Sequence, residues 1–298
     1  MKFGIFGINT GPCARPETAA KVARAAEAAG FESVWTGEHV VLPDPQLPPS
    51  PAPPQHPMLD PAVALAFLAG HTERLRLATG IIILPQRNPV VLAKELASVD
   101  VLSKGRLIFG LGAGYLRPEF DAIGARFDDR GARCDEYIDA LVALWTQPKP
   151  SFAGRTLRFD GIDAQPRPVQ QPHPPIVVGG LSAAAFARAV RRGNGWYGFL
   201  RDLEAARADL AGIAAARREG ERPAALGALE ITITPPPKLD LDSAQRYREL
   251  GVDRLVLLAP PRASGARSEG GARAESADEA SILRWLDETA ETLIRKLS

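Results

Sequence analysis

The chain has 298 residues, 45% hydrophobic and 24% charged, with a formal net charge of +1. That length supports one large core or two small ones, and the near-neutral charge gives no electrostatic footing for nucleic acid or an anionic membrane. Cys13 and Cys134 stand far apart in no metal-ligand spacing, no apolar run reaches the ~18 residues of a membrane span, and no charged-then-apolar leader precedes the first strand, so a cytoplasmic protein is expected.

Strands and helices alternate along the chain. Residues 3–8 form an apolar strand, and a helix follows Pro16 with Val22, Ala23, Ala26 and Ala29 inward and Gly30 at its end. The second strand is 33–37. The proline-rich stretch 43–57 cannot be regular structure. Asp60 and Pro61 open a helix that runs to about Gly70. Residues 75–84 are a continuous apolar run, which suits a strand buried on both faces of a parallel sheet. Asn88 and Pro89 start the next helix; Val91, Leu92, Leu96, Val99 and Leu102 recur at three and four and make its packing face. Gly105 stops it. The strand at 106–111 runs into Gly110-Leu111-Gly112-Ala113-Gly114, small residues that let a ligand approach the backbone.

Pro118 begins a short helix and 129–145 is a long one. Residues 147–172 carry turn signals and two short β-like pieces, and read as a surface excursion. A strand at 175–178, a helix from Ser182 to Gly193, a strand at 195–199 and an Asp202-capped helix over 203–219 follow. The pattern repeats with a strand at 226–233, a helix at 242–250 and a strand at 254–258. Residues 264–277 are rich in Gly, Ser, Arg and Glu, the composition of a mobile segment, and 279–297 is the last helix, with Ile282, Leu286, Leu293 and Leu297 among its apolar positions.

Eight strands, each followed by a helix, is the count of a (β/α)8 TIM barrel, here one domain over 1–298 with excursions at about 43–57, 147–172 and 262–277. A doubly wound sheet is the alternative. Against it, no dinucleotide glycine fingerprint follows the first strand, and the glycines after Gly110 lack both the third spacing and a ribose-binding acid. In a barrel the chemistry gathers at the C-terminal strand ends. These ends are rich in glycine and poor in charge: Gly37-Glu38-His39, Thr79-Gly80-Ile81, Gly112 to Tyr115, Gly179-Gly180-Leu181-Ser182, then Trp196 and Tyr197. Such a pocket suits a flat, partly apolar ligand rather than a metal or a hydrolytic triad.

Each position also has a plainer reading. His39 is placed for catalysis or ligand contact, yet a buried, hydrogen-bonded histidine at a strand end would look the same. Glu38 reads equally as the partner of an arginine, and Trp196 equally as core packing. His56 in the proline loop reads as incidental, His71 as serving its helix C-terminus and His173 as carrying no signal. Gly179 and Gly180 before a serine-capped helix make a backbone N–H site for phosphate, or a simple strand-to-helix turn.

Together these residues carry a resemblance. The run 75–114, VWTGEH at 34–39, the spacing of acidic, glycine and arginine positions over 119–136, PPIVVGG at 174–180 and GNGW at 193–196 resemble the luciferase-like monooxygenase family over roughly 3–260. Its members use FMN or the deazaflavin coenzyme F420, and the short chain, the GEHVVLP after strand two and the TG-then-apolar third strand resemble the F420-dependent branch. The resemblance implies that Glu38 and His39 face the deazaflavin ring, His39 as proton handler with Tyr115 as an alternative donor. It implies ring-backing contacts at Gly37, Thr79, Gly80 and Ile81, with a non-prolyl cis peptide at Gly80–Ile81. Gly112 and Gly114 would meet the ring or ribityl chain, Gly179, Gly180 and Leu181 the phosphate, with Trp196 beside them.

The implied activity is hydride transfer between the deazaflavin and a small organic substrate. No basic cluster is placed for a sugar phosphate, so a less charged substrate is expected. Arg262, Arg267 and Arg273 are expected at the acidic tail of the coenzyme, or simply in a solvated loop. Two other readings stay open: an FMN-dependent monooxygenase, and a non-catalytic barrel that binds a flavin or deazaflavin. A metal-dependent hydrolase ranks below both, since no ligand spacing supports it. A homodimer through barrel helices is expected from the same resemblance.

Overall fold

The computed structural model describes residues 1–259 and 278–297. Eight parallel strands close on themselves. They are β1 (Lys2–Phe6), β2 (Ser33–Thr36), β3 (Arg76–Thr79), β4 (Leu107–Gly112), β5 (Ile176–Gly179), β6 (Gly195–Gly198), β7 (Glu230–Ile233) and β8 (Arg254–Leu258). The register runs from Gly4 opposite Ser33 round to Lys2 opposite Arg254, which joins the last strand to the first. Their continuous apolar character follows from helices on one side and the barrel interior on the other. The expected (β/α)8 barrel is the fold.

The helices are α1 (Pro16–Ala29), α2 (Pro61–Ala69), α3 (Pro89–Leu102), α4 (Arg117–Ala122), α5 (Arg130–Thr146), α6 (Ala183–Arg192), α7 (Leu203–Glu219), α8 (Leu241–Glu249) and α9 (Glu279–Thr289). Local chemistry sets their starts: Asp60, Asn88, Ser182 and Asp202 each accept a backbone N–H of the first turn. The main core lies between strands and helices. A smaller cluster fills the barrel interior: Trp35, Ala78, Ile108, Val177, Tyr197 and Val256. The N-terminal end is closed by Arg254, 2% exposed, which bonds Glu32 and Glu230 and lies 5.6 Å from the Trp35 ring.

Several expected boundaries move, each for a physical reason. The run 75–84 is not one strand: it breaks after Thr79 at the cis Gly80–Ile81 bond and resumes at Ile82–Ile83, which pairs with Leu111 and Gly112. β1 stops at Phe6 because Gly7 turns the chain at φ +90°, and Asn9 then bonds Gly37 and the Leu59 carbonyl. In α3 the buried stripe is Leu92, Ala93, Leu96, Ala97, Val99 and Asp100; Val91 and Leu102 flank it and are 56% and 60% exposed. The stretch 226–233 begins as a tight turn at Ala224–Leu226 and becomes a strand only at Glu230. The last helix passes into a π-type turn at Ala290–Ile294.

The 147–172 excursion is a small antiparallel hairpin, Phe152–Ala153 with Arg158–Phe159, tied down by two carboxylates. Glu136 accepts the N–H groups of Arg155, Thr156 and Leu157; Asp100 accepts those of Val169 and Gln170. Arg262, Arg267, Arg273 and the rest of the 264–277 expectation lie outside the described residues. Cys13 and Cys134 are free and buried. No described helix is long and apolar enough to cross a membrane.

Candidate active site

A cavity of about 870 Å³ opens at the C-terminal ends of the strands. That volume lies within the usual range for small-molecule and cofactor sites. Most of the expected site meets in it: Gly37, Glu38, His39, Gly80, Ile81, Gly112, Gly114, Tyr115, Gly179, Gly180 and Leu181.

Two expected members do not reach the cavity. Thr79 is fully buried beneath it, its hydroxyl donating to the Gly110 carbonyl and accepting from the Gly110 N–H. Trp196 is also fully buried: its indole N–H donates to the Gly180 carbonyl at 2.9 Å, and its ring packs on Phe186. The cause is strand periodicity. Successive side chains alternate faces, so Tyr197 and Phe199 line the cavity and Trp196 faces the helices.

The glycines answer to Ile81. A Cβ on Gly112 would overlap the Ile81 Cδ1, and one on Gly179 would sit 3.1 Å from its Cγ2. A Cβ on Gly110 would strike the Thr79 carbonyl oxygen. Bare backbone on β4 and β5 therefore lets the Ile81 side chain lie across the floor, where it forms an apolar shelf. This is a different use of small residues from the direct ligand approach expected at Gly110 to Gly114.

Glu38 and His39 are adjacent yet differ in exposure and partners. The Glu38 side chain is only 2% exposed. One of its oxygens takes the Ile83 N–H and the other takes Arg87, whose Nε lies 2.8 Å away; Arg87 also bonds Asp60 at 2.5 Å. Burial works against the Arg87 charge, but Glu38 and Asp60 outweigh it and hold its proton more firmly than usual. Glu38 lines the cavity with both oxygens engaged, so it has the arginine partner that the plainer reading gave it. His39 also reaches the cavity. Its Nδ1 lies 3.3 Å from Glu119, its backbone N–H meets the Met58 sulfur, and its ring stands edge-on to Tyr115 at 6.0 Å. Burial, then the Glu119 charge, raises the Tyr115 phenol, which keeps it a donor.

The cavity is split by chemistry. Phe6, Met58, Tyr197 and Phe199 make one part apolar, with Phe6 and Phe199 rings 4.9 Å apart. Around Gly180 to Ser182 the other part combines the first turn of α6 with Arg130 and Arg188. First-turn N–H groups lack intrahelical partners and favour an anion. A flat ring over the Ile81 shelf, with a phosphate near Ser182, matches these donors. His56, read as incidental, also lines the cavity, and burial lowers its pKa. His71 does serve α2: its Nδ1 lies 2.8 Å from the Phe67 carbonyl. Sequence reasoning missed Arg87 and Arg188 outright and quoted Glu119 only within a spacing. They lie 49, 53 and 80 residues from their partners Glu38, Asp135 and His39, beyond any local pattern. Among the described residues no group of three His, Cys, Asp or Glu side chains could hold a metal.

A closed parallel barrel with a deep, mostly apolar cavity at its C-terminal strand ends defines the class: a (β/α)8 barrel of the ligand-binding, enzyme type. The family model described as luciferase-like monooxygenase matches residues 1–295, and the chain belongs to that family. It is 33% identical over 271 residues to an uncharacterised protein of Mycobacterium tuberculosis, covering 87% of this chain and 93% of that one. It is 32% identical over 209 residues to the F420-dependent hydroxymycolic acid dehydrogenase of M. tuberculosis, covering 69% of this chain and 55% of that one. It is 28% identical over 278 residues to the FMNH2-dependent dimethylsulfone monooxygenase of Pseudomonas fluorescens, covering 92% and 71%. In fold it is similar to the monooxygenase RslO1 of Streptomyces bottropensis, at TM-score 0.77 and 23% identity over 100% of both chains. It is also similar to the coenzyme F420-dependent tetrahydromethanopterin reductase of Methanopyrus kandleri, at TM-score 0.75 and 15% identity over 100% and 99%. The relatives thus include both F420-dependent and FMN-dependent proteins.

Proposed function

We propose that the protein is a coenzyme F420-dependent oxidoreductase that moves a hydride between the deazaflavin and a small, weakly charged organic substrate. The observation that carries this reading is the pairing of a cavity-facing imidazole at the end of β2, His39, with the apolar shelf of Ile81 over Gly112 and Gly179. When bound, a deazaflavin supplies a carbon that takes or gives a hydride; the protein must then place the substrate and manage one proton. Ile81, with Gly37 and Gly80 beside it, backs the ring, and Gly114 borders it. Gly179, Gly180, Leu181 and the start of α6 hold the phosphate. His39 handles the substrate proton, with Tyr115 as a hydrogen-bond donor. Phe6, Met58 and Phe199 exclude water and favour an uncharged substrate.

A second reading, an FMN-dependent monooxygenase, is favoured by the similarity to the dimethylsulfone enzyme over 92% of the chain. Titration of the apoprotein with F420 and separately with FMN, followed by tryptophan fluorescence, tests both. Trp35 lies under the cavity and Trp196 beside its phosphate end. Micromolar or tighter F420 binding without FMN binding is expected; preference for FMN with oxygen consumption would overturn it. Binding without turnover on a broad alcohol and ketone panel would favour a carrier. We also propose a homodimer through α2 and α3, neighbouring helices that leave Val63, Val91 and Leu102 outward at 68%, 56% and 60% exposure.

A further inference from the structure

Glu119, in α4, is 0% exposed. Its Oε1 accepts the Val40 N–H at 2.5 Å and its Oε2 lies 3.3 Å from His39 Nδ1. Among the described residues no arginine or lysine pairs with it; the ring nitrogen beside it is His39 Nδ1. A carboxylate buried without a cation requires N–H donors. A lone pair on Nδ1 would set acceptor against acceptor beside a carboxylate that is 0% exposed. Nδ1 therefore carries a proton, and in a neutral imidazole that leaves Nε2 with the lone pair. The His39 side chain is 11% exposed and lines the cavity, so Nε2 is the nitrogen left for a substrate.

We propose that Glu119 is a positioning residue that holds His39 as the Nδ1–H tautomer and so makes Nε2 a hydrogen-bond acceptor toward the substrate. The class of substrate group that such an acceptor recognises is a hydroxyl donor rather than a bare carbonyl. Tyr115 supplies the complementary donor on the same rim. This rests on the reading that His39 meets the substrate, and its test is independent of that reading.

The experiment is 15N NMR of the histidine rings in the wild type, E119Q and E119D, with His39 assigned by its disappearance in H39Q. In E119Q the amide oxygen still accepts Val40 N–H, while its NH2 faces Nδ1 and drives the proton to Nε2. Expected are Nδ1–H in the wild type and E119D, and Nε2–H in E119Q. A wild-type Nε2–H tautomer, or a pattern unchanged in E119Q, overturns the proposal. Should E119Q not fold, wild type and E119D alone decide between the two tautomers. F420 titration is the second arm: affinity of E119Q within about threefold of wild type supports a positioning role, and a loss above tenfold overturns it. Failure of F420 to bind the wild type would sink the functional reading and leave the tautomer result standing.

Discussion

Arg87 closes one wall of the cavity without lining it. It neutralises Glu38, whose side chain is 2% exposed, and ties it to Asp60 at the start of α2. Removing one partner of such a pair strands a buried charge. Arg87→Ala is therefore expected to destabilise the protein by about 3–5 kcal/mol in urea unfolding, and the E38Q/R87A double variant to recover a large part of that. Gly112 makes a second residue-scale test. Gly112→Ala pushes a methyl into Ile81, so it should cost about 1–3 kcal/mol and weaken cofactor binding; adding Ile81→Ala should restore stability. The sequence made His39, Ile81 and the glycines legible because each sits in a short run at a strand end. It hid Arg87 and Glu119 because their roles depend on partners brought together only by barrel closure.

α3 shows how an element reads from sequence and where the reading stops. Its start was legible, since Asn88 and Pro89 act within one turn and Asn88 accepts the N–H of Val90 and Val91. Its buried face was blurred, because apolar residues nearly encircle the helix and spacing alone could not reject Val91 and Leu102. Asp100 on the same helix is fully buried, accepting from Val169 N–H at 2.7 Å, Gln170 N–H at 3.0 Å and Gln170 Nε2 at 2.7 Å. Asp100→Ala leaves those donors without their acceptor and should cost about 3 kcal/mol. Limited proteolysis should then cut within 147–172 before the barrel unfolds. Asn88→Ala should cost only about 1 kcal/mol.

At the scale of the whole molecule, carboxylates on opposite sides of the barrel set the response to acid. Burial raises Glu27, but the N–H groups of Arg74, Leu75 and Glu73 outweigh it; burial raises Glu230, and Arg254 and Lys2 outweigh that. Both end below their ordinary value of 4.5. A depressed carboxyl contributes stability that is complete above its unfolded pKa and is lost as pH falls through its folded pKa. Melting temperature should therefore hold level down to about pH 4.5 and fall below it, and Glu27→Gln should make that fall shallower. Assembly is the other molecular-scale expectation: light scattering should give a dimer for the wild type and a monomer for Val63→Asp combined with Val91→Asp. The eight-fold alternation was legible from end to end because parallel strands carry their own apolar signature. The break after β3 was legible only through the cis Gly80–Ile81 bond that the resemblance implied, since an apolar run reads the same on either side of it.

The excursion at 147–172 ends in a consequence for how such barrels diversify. Its backbone N–H groups are gathered by two carboxylates, Glu136 on α5 and Asp100 on α3, both belonging to the scaffold. The scaffold thus offers fixed sockets, and the inserted chain plugs into them mainly through main-chain N–H groups that every residue type but proline possesses, with Thr156 Oγ1 and Gln170 Nε2 added. Sequence within the plug is left free to drift, lengthen or be exchanged for another of similar span. A cassette transplanted from a related barrel should seat without redesign wherever both carboxylates are kept.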